Sequence, residues 1–116
     1  MKMTPGEIMA GLSEKNRMLS AKNDEYIELI EKRAQAERLY NIAVAEKTIA
    51  LKLDGNPATL IDKLVKGDKT VSKLKYEFDV CQGVEKACLN VIHNLRSAID
   101  TYRSLLSWLK AELQSQ

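Results

Sequence analysis

Hydrophobic residues recur every seven positions through the last third of the chain. Leu74, Cys81, Cys88, Leu95, Tyr102 and Leu109 share one heptad position, and Val84, Val91, Ala98 and Leu105 fall three residues further on. Phe78, Ile92, Ile99, Leu106 and Leu113 widen the stripe, while Lys75, Asp79, Lys86, Asn90, Arg103 and Lys110 take the opposite face. The spacing predicts one amphipathic helix over about 69–114, whose seam needs a partner helix before it can leave water.

The first half carries the same helical signature. Met9, Leu12, Leu19, Tyr26, Ile30, Tyr40, Val44 and Leu51 keep a helical spacing between Thr4-Pro5-Gly6-Glu7 and Asp54-Gly55-Asn56-Pro57. Thr4 can cap, Pro5 suits the first helical position, and Glu7 stands where a capping-box acid belongs. A helix over about 5–53 follows, roughly 70 Å long at 1.5 Å per residue. Gly11 and the polar run 13–23 weaken its opening turns.

Asn56-Pro57 repeats the cap-plus-proline start signal. Leu60, Ile61, Leu64 and Val65 then share one face of a short helix over about 57–66, with Gly67 placed to end it and Asp68 placed to cap the next. No alternating strand pattern occurs. The expected fold is all-α: an antiparallel helical hairpin of two long helices joined by a short one, forming a single helical domain over 1–116.

Two arms alone do not cover a stripe this wide. The facing part of the first helix offers Ala34, Ala36, Ala43, Ala45 and Ala50, which allow close approach but bury little area. Each large apolar side chain left in water forgoes about 1.5–3 kcal/mol relative to burial. The expectation is therefore a homo-oligomer, assembling as a helical bundle. Its anchors are expected at Leu95, Ile99, Tyr102, Leu106, Trp108 and Leu109.

Composition changes this picture only locally. The 116 residues carry a formal charge of +2, too little to imply a nucleic-acid partner by itself. Between Lys47 and Lys75, however, Lys47, Lys52, Lys63, Lys66, Lys69, Lys73 and Lys75 stand against only Asp54, Asp62 and Asp68. In a hairpin these lysines gather at one end, and an oligomer would multiply them into a basic surface able to hold a phosphate backbone. The competing reading is an ordinary solvated turn. Tyr76 and Phe78 stand nearby as possible stacking partners for bases, with Phe78 placed by its row in the core.

Chemistry is otherwise sparse. His93, the one histidine, lies on the outer face without a positioned partner. Cys81 and Cys88 are two helical turns apart, roughly 10 Å, beyond disulfide reach. They read as buried thiols of a reducing compartment, so a cytoplasmic location is expected. There is no metal-ligand spacing, no phosphate-binding glycine loop and no run long enough to span a membrane. Carboxylate pairs such as Glu25/Glu28 and Glu28/Glu31 sit among lysines and arginines as helix-face ion pairs. No enzyme, metal or cofactor is expected.

Three stretches carry a family resemblance. They are Ala45-Glu46-Lys47 through Leu51-Lys52-Leu53-Asp54-Gly55, then Gly67-Asp68-Lys69-Thr70-Val71, then Arg103-Ser104-Leu105-Leu106-Ser107-Trp108-Leu109-Lys110. They resemble small helical proteins of phages and prophages of Gram-positive bacteria, and the layout is similar to the UvsY-type recombination mediators of T-even phages. The likeness runs from about Arg33 to Leu109 and leaves out the first thirty residues. It implies a phage recombination accessory protein in a bacterial host cell, which oligomerises, binds single-stranded DNA and works beside a recombinase and a single-strand-binding protein. By position and charge, Lys47, Lys52, Lys63, Lys66, Lys69 and Lys73 would make the DNA contact. The alternatives are a scaffolding coiled-coil module that binds only protein, and a small phage inhibitor that docks on a host protein.

Overall fold

A computed structural model describes residues 3–115 of the chain. They form three helices, α1 (Pro5–Leu53), α2 (Ala58–Gly67) and α3 (Lys69–Gln114), with no strand among the described residues. The all-α expectation therefore holds. The contacts divide the chain into two compact units: one takes α1 as far as Ile27 together with α3 from Ala87, the other is Glu28–Lys86. We call them the arm unit and the bend unit.

The bend unit turns through two different joints. At the first, Gly55 takes the left-handed backbone (φ +82°), its N–H bonds the Lys52 carbonyl and the Asn56 N–H bonds that of Leu51. This is the paired bond pattern of a Schellman stop, which a residue with a Cβ adopts only under strain. Asn56 was expected to cap α2, but its side-chain amide donates back to the Leu51 carbonyl at 3.0 Å. It satisfies the end of α1, and α2 begins behind an extended Pro57 with no side-chain cap.

At the second joint Gly67 is the last residue of α2 and needs no left-handed turn. One residue, Asp68, in extended conformation, ends α2 and starts α3: its N–H bonds the Val65 carbonyl, and its Oδ2 accepts from the Val71 N–H at 3.1 Å. Inside the bend, Ile61, Val65 and Val71 are buried against Tyr40, Ala43, Val44 and Leu51. Of the four apolar residues expected on one face of α2, Ile61 and Val65 turn inward, whereas Leu60 and Leu64 remain exposed. Further along, Tyr40 stacks on Phe78 with centroids 6.0 Å apart, and Arg33 bonds Glu85 at 2.8 Å. As α1 numbers rise, their α3 partners fall, so the two stretches run antiparallel.

The arm unit is also antiparallel, with Gly11 beside Tyr102 and the Cys88 thiol 3.7 Å from the Lys22 carbonyl. Its entry is capped as expected, the Glu7 N–H donating to Thr4 Oγ1 at 3.1 Å. The register of the first turns differs from the sequence reading. Met9 is 61 % exposed, and its neighbour Ile8, at 1 %, is buried instead. Ile8 and Leu12 are one turn apart, and Leu19 lies about two turns beyond Leu12, so these residues keep one row; Met9 lies about 100° around the helix from Ile8. Gly11 is not a weak point here. A Cβ at this position would lie 2.6 Å from the Tyr102 ring, so the missing side chain lets the ring lie against the α1 backbone.

α3 buries fewer rows than expected. Cys88, Ile92, Leu95 and Ile99 are buried, and Leu74, Cys81, Tyr102, Leu106 and Leu109 are half-buried. The third row, Val84, Val91 and Leu105, stays exposed. One partner helix covers an arc of about 100°, enough for two adjacent heptad rows and not for three.

Candidate nucleic-acid interface

The six candidate lysines all lie in the bend unit, on all three helices. Lys47 and Lys52 belong to the end of α1, Lys63 and Lys66 to α2, and Lys69 and Lys73 to the first turns of α3. Because Ile61 and Val65 fix the inner face of α2, Lys63 points nearly opposite to the core and Lys66 stands to one side. Lys69 and Lys73 are one turn apart on α3. Tyr76, a residue 69 % exposed, follows three residues later on the same face. Phe78 is committed to its stack on Tyr40, so Tyr76 is the aromatic ring that this surface presents.

The lysines differ in their partners. Lys47 lies 3.4 Å from Asp68 Oδ1 and Lys66 lies 3.2 Å from Asp62. Lys75 bonds Asp79 at 3.0 Å, and its ammonium also sits over the Tyr40 and Phe78 rings. Lys52, Lys63, Lys69 and Lys73 pair with no carboxylate among the described residues. Lys52 edges a shallow groove between α1 and α2 with Thr48, Ala58 and Asp62. Lys47 edges a second one with Glu46, Asp68 and Thr70. Both are open grooves, suited to a ligand that lies along the surface.

Asp68 holds the joint electrostatically as well. Its carboxyl is pushed below the usual carboxylate range, chiefly by the bond from the Val71 N–H; burial opposes this, and Lys47 adds to the lowering. A depressed carboxylate stabilises the fold above its unfolded pKa, and that contribution is lost as pH falls through the folded value. Asp68→Asn keeps a capping side chain but removes the negative charge that faces Lys47. The variant is expected to melt a few degrees below the wild type at pH 7, and the gap should narrow as the pH falls below the ordinary carboxylate range and close only past the depressed folded value, where the wild-type carboxyl also becomes neutral. A gap that stays constant from pH 7 to pH 3 would show that Asp68 acts without its charge.

The six residues expected as oligomer anchors fall into different environments. Leu95 and Ile99 are buried within their own chain, Tyr102 packs at Gly11, and Leu106 and Leu109 are half-buried. Trp108 alone of the six is well exposed, at 64 %. Apolar side chains the sequence reading left out of the anchor set are exposed too: Ile42, Ile49 and Leu53 on α1, Val80, Val84 and Val91 on α3. The signal that could have found them is arithmetic, since an apolar row too far around the helix from the buried rows has no partner inside the chain.

No family model, curated protein or solved structure matches the chain. Nothing in these comparisons identifies the chain as a UvsY-type mediator. His93 is exposed, Cys88 is buried and Cys81 half-buried, both as free thiols. Among the described residues no group of three His, Cys, Asp or Glu side chains is placed to hold a metal ion, and no helix is long and apolar enough to cross a membrane.

Proposed function

We propose that this chain acts by binding, as a recombination accessory protein that holds single-stranded DNA along the basic surface of its bend unit and self-associates to present several such surfaces. The observation that carries the reading is the set of four lysines without carboxylate partners, Lys52, Lys63, Lys69 and Lys73, on three helices packed around one core, with the exposed ring of Tyr76 beside two of them. Ammonium groups without protein counter-charges are free to exchange small counterions for phosphates, and an exposed ring offers a stacking platform for an unpaired base. Contacts of this kind read the backbone and carry no base sequence. A recombinase and a single-strand-binding protein are the further partners this reading implies.

Fluorescence anisotropy with a labelled oligonucleotide tests it. Binding should weaken with salt along a log–log slope of roughly −3 for four phosphate contacts on single strands. Replacing Lys52, Lys63, Lys69 and Lys73 together by Ala should abolish most of the affinity and flatten that slope. Replacing the carboxylate-paired Lys47 and Lys66 should cost less. No binding at low salt, or equal losses from the two sets, overturns the proposal.

A second reading, a scaffold that binds only protein, is favoured by the exposed apolar residues of α1 and α3. Recovery of a host protein by a DNA-free sample that fails to bind oligonucleotide would select it.

A further inference from the structure

The two flanks of α2 are unlike. With Ile61 and Val65 turned inward, Asp62 and Lys66 lie about 100° to one side of them, and Leu60 and Leu64 about 100° to the other. The first flank balances its own charge: Lys66 lies 3.2 Å from Asp62, and Asp62 borders the groove against α1. The second carries no charge, yet Leu60 is 47 % and Leu64 42 % exposed. Lys63, with no carboxylate partner among the described residues, adjoins these leucines on the outer side of the helix.

α3 continues this surface. Lys69 follows Leu64 by five residues, across the single extended residue Asp68. Lys69, Lys73 and Tyr76 turn nearly opposite to the inward Val71 and Phe78, as Lys63 does to the core of α2. Both helices rest on α1 through one core, so both outward faces point away from α1. No acid interrupts them. Asp68 is spent on the Val71 N–H and on Lys47, Asp79 is bonded by Lys75, and Glu77 turns about 100° away from Tyr76 to line the groove against α1. The surface thus combines three unpaired ammonium groups, one phenol ring and two aliphatic side chains.

The charge calls for an anion, and the leucines call for an anion with apolar parts. A polyphosphate would leave Leu60 and Leu64 in water, and a duplex keeps its base faces stacked inside. A single strand brings phosphates for the lysines and unstacked base faces for the apolar side chains. We infer that Leu60 and Leu64 are a second seat for bases beside Tyr76, so that the bend selects single strands by their bases as well as by their charge. The inference rests on the DNA-binding reading and adds to it a share of affinity that salt does not screen. Lys63 on α2 and Lys69 across the joint border the seat, so the apolar group it receives is one that travels with an anion.

Anisotropy with labelled oligothymidine and with an abasic strand of the same length tests it, circular dichroism verifying that each variant stays folded. The wild type should bind oligothymidine about tenfold more tightly than the abasic strand. Leu60→Ser with Leu64→Ser should reduce that preference severalfold, leaving the abasic affinity and the salt slope unchanged. Leu60→Ser alone, at the more exposed position, should act in the same direction and serves if the double variant unfolds. Tyr76→Ala should keep part of the preference, which Leu60→Ser then removes. No binding of either strand at low salt overturns the DNA-binding reading and the seat with it. Equal binding of the two strands by the wild type, or leucine variants that keep the full preference, overturns the seat and leaves the lysine surface standing. Leucine variants that keep oligothymidine and lose only binding to phosphatidylserine vesicles also overturn it, and make the pair a lipid contact.

Discussion

Ile92→Ala will destabilise the chain by about 2–5 kcal/mol, a large part of what a domain of this size possesses. Ile92 and Ile8 are the two largest fully buried side chains, and both belong to the arm unit. Truncation removes three methyl or methylene carbons from water-free surroundings. The neighbouring rows sit on regular helices whose backbones have little freedom to close the gap. Val91→Ala, one residue away but exposed, should change the melting temperature little, because its side chain already meets solvent. Chemical denaturation of the two variants measures the difference. Equal losses at the two positions would mean that the inner face of α3 has been misassigned.

Val65→Asp is the second large effect, and it separates docking of α2 from helix formation. Val65 is buried with Ile61 and Val71 at the centre of the bend unit. A carboxylate there forfeits the burial of the valine and leaves a charge without a partner, a cost of about 3 kcal/mol or more. A ten-residue helix has little stability of its own in water, so an undocked α2 should lose its amide protection. Hydrogen exchange should show residues 58–67 unprotected while much of α1 and α3 remains protected. Lys63 and Lys66 would lose their placement, so oligonucleotide affinity should fall without any lysine having been changed. Full protection of 58–67 in this variant would place the anchoring of α2 elsewhere.

Much of the helical layout was legible in the chain because long runs without Gly or Pro leave few other choices. The capping roles of Thr4 and Asp68 were legible for the same local reason: an oxygen-bearing side chain three residues before an unpaired N–H. What escaped depends on which helix stands beside which. Met9 and Ile8 are equally apolar, and only the row completed by Leu12 and Leu19 selects Ile8. Asn56 is a good cap by type, yet its amide serves the helix behind it because the Schellman stop brings the Leu51 carbonyl within reach.

The candidate site divides along the same line. Position and charge sufficed to single out the lysines at the bend. Their separation into paired and unpaired sets needed distances, since Asp62 and Asp68 are each close in sequence to several lysines. The apolar surface was less legible. Leu95 and Ile99 look like interface anchors in a heptad diagram, but α1 already covers them, and the uncovered rows of α3 mix Val, Ala, Asn and Thr with Leu105 and Trp108. Hydrophobic strength alone picks out the core first.

The joint at Asp68 has a thermodynamic consequence. A flexible basic tail must surrender backbone freedom when it grips an anion, about 1–2 kcal/mol per ordered residue. Here a single extended residue links two helices and is tied at both ends by backbone and side-chain bonds, so Lys63, Lys66, Lys69 and Lys73 ride on backbone that is already immobile. Only their side-chain rotors remain to be stilled. Whatever anion this bend receives, the ordering cost has been met in folding, and an insertion of even one flexible residue after Gly67 would return that cost to the binding step.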